Sequence, residues 1–126
     1  MPVRVELIPD AVEDLVGYAQ TGNLPLFLKK LVRLEEVGSD AGLPLGRGRT
    51  GWRKIFVGDR AWRIIFTMDP DDTVATVWVI GDRNDAACYA AAQRRVAALG
   101  FDRPPAASLA AVMFRIVQAK AARKKQ

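Results

Sequence analysis

Four side chains in the second half of the chain are suited to phosphate chemistry: Lys54, Arg63, Arg83 and Tyr89. Fixed cations can stabilise charge that develops on a phosphate, and a phenol can stack on a base or assist proton transfer. The chain has no histidine, which excludes Ser-His-Asp and Cys-His catalysis and histidine metal sites. Acid–base chemistry must therefore use Lys, Arg, Tyr or a carboxylate, and we expect no metal and no cofactor.

The net charge of +5 is distributed unevenly along the 126 residues. Residues 1–40 contain four basic and seven acidic side chains, whereas residues 47–63 contain six basic side chains against Asp59 alone. A second basic region begins at Arg94, with eight basic side chains against Asp102. This pattern is consistent with a polyanionic partner. A surface charged for solubility would give the same pattern.

The bulk properties indicate one globular domain. Half of the residues are hydrophobic, which is enough for a core, and the apolar runs are too short to span a membrane. The first ten residues lack the apolar region of a signal peptide, and the single Cys88 cannot form an internal disulfide. We therefore expect a cytoplasmic protein without a membrane partner.

Hydrophobic periodicity predicts an α+β fold. The predicted elements are a strand at 3–8, a helix at 11–20, a helix from Leu24 that ends at Gly38, strands at 52–57, 61–68 and 74–80, and a helix at 86–99. A tight turn at Gly58-Asp59 joins the second and third strands. The order β-α-α-β-β-β-α indicates a small, mainly antiparallel sheet with helices packed on one face.

Two segments flank this core. Residues 39–51 are rich in glycine and contain Arg47 and Arg49, so they form a flexible loop that either contacts a phosphate backbone or is a solvated connector. The Arg103-Pro104-Pro105 segment separates residues 1–100, the predicted main domain, from residues 101–126. The latter are predicted to form an amphipathic helix with a basic tail, which packs on the domain or docks to a partner.

Three short motifs together resemble the RelE/ParE toxin superfamily. An aromatic-Arg-aliphatic strand at 61–66 is followed by an aliphatic strand at 77–83 that ends in Gly-Asp-Arg, and Tyr89 follows in the last helix. The two arginines are twenty residues apart and Tyr89 lies six residues beyond Arg83, as in RelE. The resemblance covers roughly Val3 to Leu99, and the predicted order of strands and helices agrees with it.

The resemblance implies a toxin of a type II toxin–antitoxin system that cleaves messenger RNA on the ribosome and is neutralised by a cognate antitoxin. The ribose 2′-hydroxyl would attack the adjacent phosphate, with Lys54, Arg63, Arg83 and Tyr89 as the catalytic residues. Arg63 and Arg83 would grip the scissile phosphate. The nearby Arg47, Arg49, Arg53, Arg60 and Phe56 are candidates for RNA or phosphate binding.

One position departs from the family pattern. Phe56 lies where the family has a second lysine, the proposed general base, so Lys54, Arg53 or Arg60 would have to replace it. Phe56 itself is either a stacking platform for a base or a core aromatic. Two alternatives to the nuclease stay open: inhibition of DNA gyrase, as in ParE-like members, and non-catalytic binding of nucleic acid. An arginine that pairs with an acidic residue would favour a structural role. Arg63 could pair with an acidic neighbour across the hairpin, and Arg83 could pair with Asp82 or Asp85.

Overall fold

A computed structural model describes residues 2–46 and 48–124, and the side chains as far as residue 121. Arg47 and the end of the basic tail lie outside the described residues. Within this part of the chain the strands are β1 (Arg4–Leu7), β2 (Leu43–Pro44), β3 (Arg53–Val57), β4 (Trp62–Met68), β5 (Val74–Asp82) and β6 (Ala107–Ser108). The α-helices are α1 (Pro9–Ala19), α2 (Leu24–Val37), α3 (Asp85–Leu99) and α4 (Leu109–Lys124), with a short 3-10 helix at Gly38–Ala41.

The six strands form one sheet in the order β2-β3-β4-β5-β1-β6. Only the β1–β5 pair is parallel, and the other pairs are antiparallel. The predicted α+β fold with a mainly antiparallel sheet and an extra C-terminal helix is confirmed. The edge strands β2 and β6 were not predicted, because two residues are too few to produce a recognisable alternation.

The helices cover both faces of the sheet, which corrects the prediction that they pack on one. Trp62 and Arg63 are adjacent in β4 and therefore point to opposite faces. Trp62 packs against Tyr18 of α1 and Phe27 of α2, with ring centroids 5.6 and 5.4 Å apart, whereas Arg63 pairs with Asp85 of α3. Because the central strands are apolar on both sides, α3 is needed on the second face. We call this second face the α3 face.

A polar network joins α1 and α3 around the edge of β5. β1 ends at Leu7, opposite Val77, so β5 has no neighbouring strand on this side beyond that point. Asp14 of α1 accepts a hydrogen bond from the Ile80 N–H at 3.0 Å, and Nη1 of Arg95 donates to Asp14 at 2.7 Å and to the Trp78 carbonyl at 2.8 Å. The two side chains thus satisfy backbone groups that a strand would otherwise pair.

Helix α4 packs on the same core as the rest of the chain. Leu109, Val112 and Ile116 are buried, while Phe114 and Val117 are exposed. A surface ion pair of 3.2 Å joins Arg115 of α4 to Glu13 of α1. Leu109, Val112 and Ile116 thus pack on the domain, which is one of the two roles that the sequence left open for this helix. In the described part of the chain no helix combines the length and the apolar character needed to cross a membrane.

The connection between β3 and β4 is longer than the predicted tight turn. It spans residues 58–61, and Gly58, Asp59 and Arg60 all have positive φ angles, of 60°, 56° and 69°. Trp62 lies directly over Gly58, so that a Cβ atom at this position would come within 2.4 Å of the indole ring. The tryptophan, which packs on α1 and α2, thus requires both the backbone conformation and the missing side chain of Gly58.

The Gly58→Ala variant is expected to lower the free energy of unfolding by about 2–4 kcal/mol, from the left-handed backbone and the overpacked indole together. Urea unfolding followed by tryptophan fluorescence would measure the change. Gly17→Ala is the control, because Gly17 lies in α1 with nothing within 4 Å of an added Cβ. An unfolding free energy for Gly58→Ala equal to that of the natural protein would contradict this interpretation.

Candidate functional site

The α3 face carries a compact group of cations around one aromatic ring. Lys54 and Phe56 are two residues apart in β3 and therefore point to the same face, and Arg63 of β4 lies directly opposite Phe56. The Arg63 guanidinium carbon lies 4.3 Å from the centre of the Phe56 ring, the Arg60 guanidinium carbon 5.1 Å and the Lys54 Nζ 5.2 Å. Phe56 is half-buried and contacts cations on its surface, so it is neither a simple core aromatic nor a free platform for a base.

Asp85, the first residue of α3, binds two of these cations. One of its oxygens accepts a hydrogen bond from Lys54 Nζ, and the other accepts one from Arg63 Nε at 3.0 Å. Partial burial acts to raise the pKa of the Asp85 carboxyl, but the hydrogen bonds and charges of Lys54 and Arg63 outweigh it and hold this pKa below its usual range. Asp85 is therefore a carboxylate at neutral pH and offsets part of the positive charge.

The Arg63 guanidinium is anchored on a second side by the hairpin connection. Its Nη1 donates to the Arg60 carbonyl at 2.8 Å and to the Trp62 carbonyl at 3.3 Å. Because Nε donates to Asp85, Nη2 is the guanidinium nitrogen that makes no hydrogen bond within the described residues. Arg63 is thus held in one orientation before any ligand arrives.

Arg83 extends the same face just beyond β5. Its N–H donates to the Ala61 carbonyl at 3.1 Å, which continues the β4–β5 pairing by one residue. Arg83 is thus opposite Ala61, and because Ala61 and Arg63 are two residues apart, Arg83 and Arg63 face the same side of the sheet. The side chain is exposed, and it makes no ion pair within the described part of the chain. The pairing of Arg83 with Asp82 or Asp85 considered above is therefore not found: Asp85 binds Lys54 and Arg63, and Asp82 accepts a hydrogen bond from Tyr18. Arg63 is the arginine that pairs with an acidic residue, but its partner lies at the start of α3 and not across the hairpin.

Tyr89 lies on α3 one turn beyond Asp85, about 6 Å farther along the helix axis. Its half-buried ring packs perpendicular to that of Trp52, with centroids 5.8 Å apart, and the Arg49 guanidinium carbon is 4.9 Å from its centre. Trp52 lies two residues before Lys54 and therefore faces the same side of the sheet. The predicted catalytic residues therefore share one sheet face, with Tyr89 and Arg49 at one end.

One of the predicted phosphate-binding residues lies elsewhere. Arg53 points away from the α3 face, and its guanidinium donates to the Ser39 carbonyl at 3.1 Å and the Gly42 carbonyl at 2.7 Å. It fixes the loop before β2 and is removed from the candidate site. Arg47 lies outside the described residues.

Sequence reasoning missed the role of Asp85 and the contact of Trp52 with Tyr89. The available signal was an acidic residue at a helix start close to Arg83, which the sequence analysis considered only as a partner of Arg83. The cap is Asn84, whose side chain accepts a hydrogen bond from the Ala87 N–H at 2.9 Å.

Two other titratable groups, one on each face of the sheet, have structural roles. Cys88 is a buried residue of α3, its Sγ lies 3.4 Å from the Asp82 carbonyl, and burial raises the pKa of its thiol, so it is a poor nucleophile. On the opposite face, burial and the neighbouring Asp82 carboxylate raise the pKa of Tyr18 to about 12, and its hydroxyl donates to Asp82 at 3.2 Å. No cluster of three or more potential metal ligands occurs among the described residues.

This fold is that of a known class of toxin structures. The chain is similar to E. coli toxin RelE, solved as a mutant in the free state, with a TM-score of 0.60 and 19% sequence identity over 76% of this chain and 99% of the other. It is also similar to a chain of the toxin–antitoxin complex RelBE2 from Mycobacterium tuberculosis, with a TM-score of 0.55 and 20% identity over 66% of this chain and 100% of the other. The resemblance to RelE predicted from the motifs is thus confirmed at the level of the fold.

Comparisons of sequence alone give no relative. No protein-family model matches the chain, and no curated protein sequence matches it.

Proposed function

We propose that this protein is a toxin of a type II toxin–antitoxin system, a RelE-like endoribonuclease that cleaves messenger RNA on the ribosome in the cytoplasm. The observation that supports it best is the shared location of Lys54, Arg63 and Arg83 on one face of a RelE-type fold. Cations held on a sheet stabilise phosphate charge without reorganising during the reaction.

In the proposed reaction the ribose 2′-oxygen attacks the adjacent phosphorus and transfers its proton to a water molecule. The P–O5′ bond breaks, the 5′-oxygen takes up a proton, and a 2′,3′-cyclic phosphate remains. Arg63 and Arg83 bind the phosphate oxygens, whose negative charge increases in the transition state, and Lys54 adds a third positive charge. Tyr89 stacks on a base or assists proton transfer. Because Arg53 lies on the other face, Lys54 and Arg60 are the two of the three candidate replacements for the second lysine that lie on the α3 face.

The proposed protein partner is a cognate antitoxin. RelBE2 was solved as a toxin–antitoxin complex, and an antitoxin of this chain would have to shield the cations of the α3 face. An acidic helix or extended segment has the chemistry for this, since it can pair with Arg60 and Arg83, which are not engaged by Asp85. We also propose residues 1–100 as the toxin domain, with residues 101–126 as an appended helix and basic tail.

A ribosome-cleavage experiment tests the nuclease. Purified protein is incubated with ribosomes translating a defined message, and primer extension locates new 5′ ends. We expect cleavage within ribosome-bound message, with no cleavage when ribosomes are omitted, and arrest of growth when the protein is expressed. Intact message in the presence of ribosomes would contradict the endonuclease proposal.

Two features of the site speak against proton abstraction and make inhibition of DNA gyrase the second candidate function. Phe56 replaces the proposed general base, and Asp85 binds both Lys54 and Arg63, so the cation group is less suited to proton abstraction. A gyrase supercoiling assay with the purified protein distinguishes the two functions. Inhibited supercoiling with intact messages would favour the ParE-like alternative. Salt-dependent RNA binding without either activity would indicate a non-catalytic nucleic-acid-binding homologue.

A further inference from the structure

We propose that the Asp85 carboxylate occupies the position of a ligand phosphate, so that a polyanionic ligand binds by displacing Asp85 from Lys54 and Arg63. The inference rests on the proposed role of these two cations in binding RNA phosphates. It gives Asp85 a role in determining which anions the site binds and how strongly it binds them.

One edge of the Arg63 guanidinium is suited to bind a phosphate. A guanidinium binds a phosphate best with two parallel N–H groups. The edge of Arg63 formed by its two Nη atoms is partly blocked, since Nη1 donates to the Arg60 and Trp62 carbonyls. The remaining edge consists of Nε and Nη2, and Asp85 binds its Nε at 3.0 Å. Bidentate binding of a phosphate by Arg63 therefore requires the carboxylate to leave.

Lys54 is occupied by the same group. Each Asp85 oxygen accepts a hydrogen bond from one cation, so a single rotation of the side chain releases both Lys54 and Arg63. The carboxylate imitates a phosphate group, since it offers two negatively charged oxygens to two fixed cations. The Lys54 and Arg63 side chains are 15% and 12% exposed, so an arriving anion gains from this partly desolvated position.

Asp85 can leave without disturbing the fold. It lies in the first turn of α3, with its side chain 28% exposed, so it can rotate into solvent. The helix start does not depend on it, because Asn84 is the residue that caps the Ala87 N–H. Displacement thus costs the two ion pairs and leaves the helix in place.

This arrangement selects for polyanions. An isolated phosphate ion has to compete with a carboxylate that is held beside the cations at a high effective concentration. A nucleic-acid strand places further phosphates near Arg60 and Arg83, and those contacts offset the loss of the Asp85 ion pairs. The structure thus assigns to Asp85 a role in discriminating an RNA strand from small cytoplasmic anions.

The test compares Asp85→Asn with Asp71→Asn, a control that changes the net charge equally. Asp71 is exposed in the β4–β5 turn and makes no ion pair within the described residues. Inorganic phosphate is titrated into each protein while the Nε–H signal of Arg63 is followed by NMR. We expect Asp85→Asn to bind phosphate at roughly fivefold lower concentration, the effect of losing two partly exposed ion pairs, and Asp71→Asn to match the natural protein.

A second variant and a second probe separate this inference from the proposed function. Asp85→Ser, whose side chain is too short to reach Lys54, should give the same gain if Asp85→Asn folds poorly. Phosphate affinities equal to that of the Asp71→Asn control would overturn the inference. Binding of a short single-stranded oligoribonucleotide is measured in parallel. Failure of the natural protein to bind it contradicts the proposed function, whereas the phosphate titration still decides the role of Asp85.

Discussion

The Arg83→Ala variant is expected to lose messenger-RNA cleavage by roughly 10²–10³-fold, the effect of removing one group that stabilises transition-state charge. Arg83 is exposed and makes no ion pair within the described residues, so its removal leaves no buried charge behind. The melting temperature should stay within about 1–2 °C of that of the natural protein, as for other exposed substitutions. Primer extension on ribosome-bound message and growth after induction measure the loss.

Two further variants make the result specific to this position. Arg33→Ala removes an exposed arginine of α2, on the opposite side of the sheet, and should retain cleavage and toxicity. Arg83→Lys keeps the charge without the paired donors, so an intermediate loss is expected if Arg83 binds the phosphate in bidentate fashion. If Arg83→Ala is fully toxic at normal expression, Arg83 is not a catalytic residue.

The second large effect concerns stability. We expect Asp14→Ala to lower the free energy of unfolding by about 2–4 kcal/mol, because the Ile80 N–H loses its partner and the Arg95 guanidinium loses its closest carboxylate. Both groups are partly buried at the β5 edge, where β1 has already ended. Arg95 keeps the Trp78 carbonyl at 2.8 Å and Asp10 at 3.7 Å. Urea denaturation measures the loss, and Arg95→Ala should be less destabilised in the Asp14→Ala background than alone.

The neighbouring residue provides the control for this effect. Glu13 also pairs with an arginine, but both side chains of the Glu13–Arg115 pair are about two-thirds exposed. Glu13→Ala should therefore change the unfolding free energy by no more than about 0.5 kcal/mol. Equal destabilisation by the two substitutions would show that loss of acidic charge in α1, and not the Asp14 network, determines stability.

The sequence was most informative where an element was long and regular. The apolar and β-branched runs of β3, β4 and β5, bounded by turn residues, predicted these strands. The spacing of Arg63, Arg83 and Tyr89 placed these residues on neighbouring elements. Adjacent residues of a strand point to opposite faces, so the sequence also predicts that Arg53 faces away from Lys54. Arg53 was included in the site because of its charge alone.

Other features depend on tertiary contacts that no local pattern records. Helix α3 is rich in alanine, so its buried side is weakly marked and its location on the second face of the sheet was missed. The binding of Asp85 to Lys54 and Arg63 joins residues 31 and 22 positions apart, and an aspartate at a helix start has a sufficient local explanation in the helix dipole. The long connection at 58–61 was missed because non-glycine residues rarely adopt positive φ.

The parallel pairing of β1 with β5 determines how early in synthesis the sheet can form. Arg4 pairs with Val74, seventy residues later, so the N-terminal strand stays without its sheet partner until most of the chain has been synthesised. Contacts of such long separation slow folding, since the connecting chain must be ordered before they form. Arg83, Asp85 and Tyr89 follow β5 in the chain. A growing polypeptide therefore cannot assemble the cation site before its central strand is available, and a truncated product ending before residue 74 would be harmless under the proposed function.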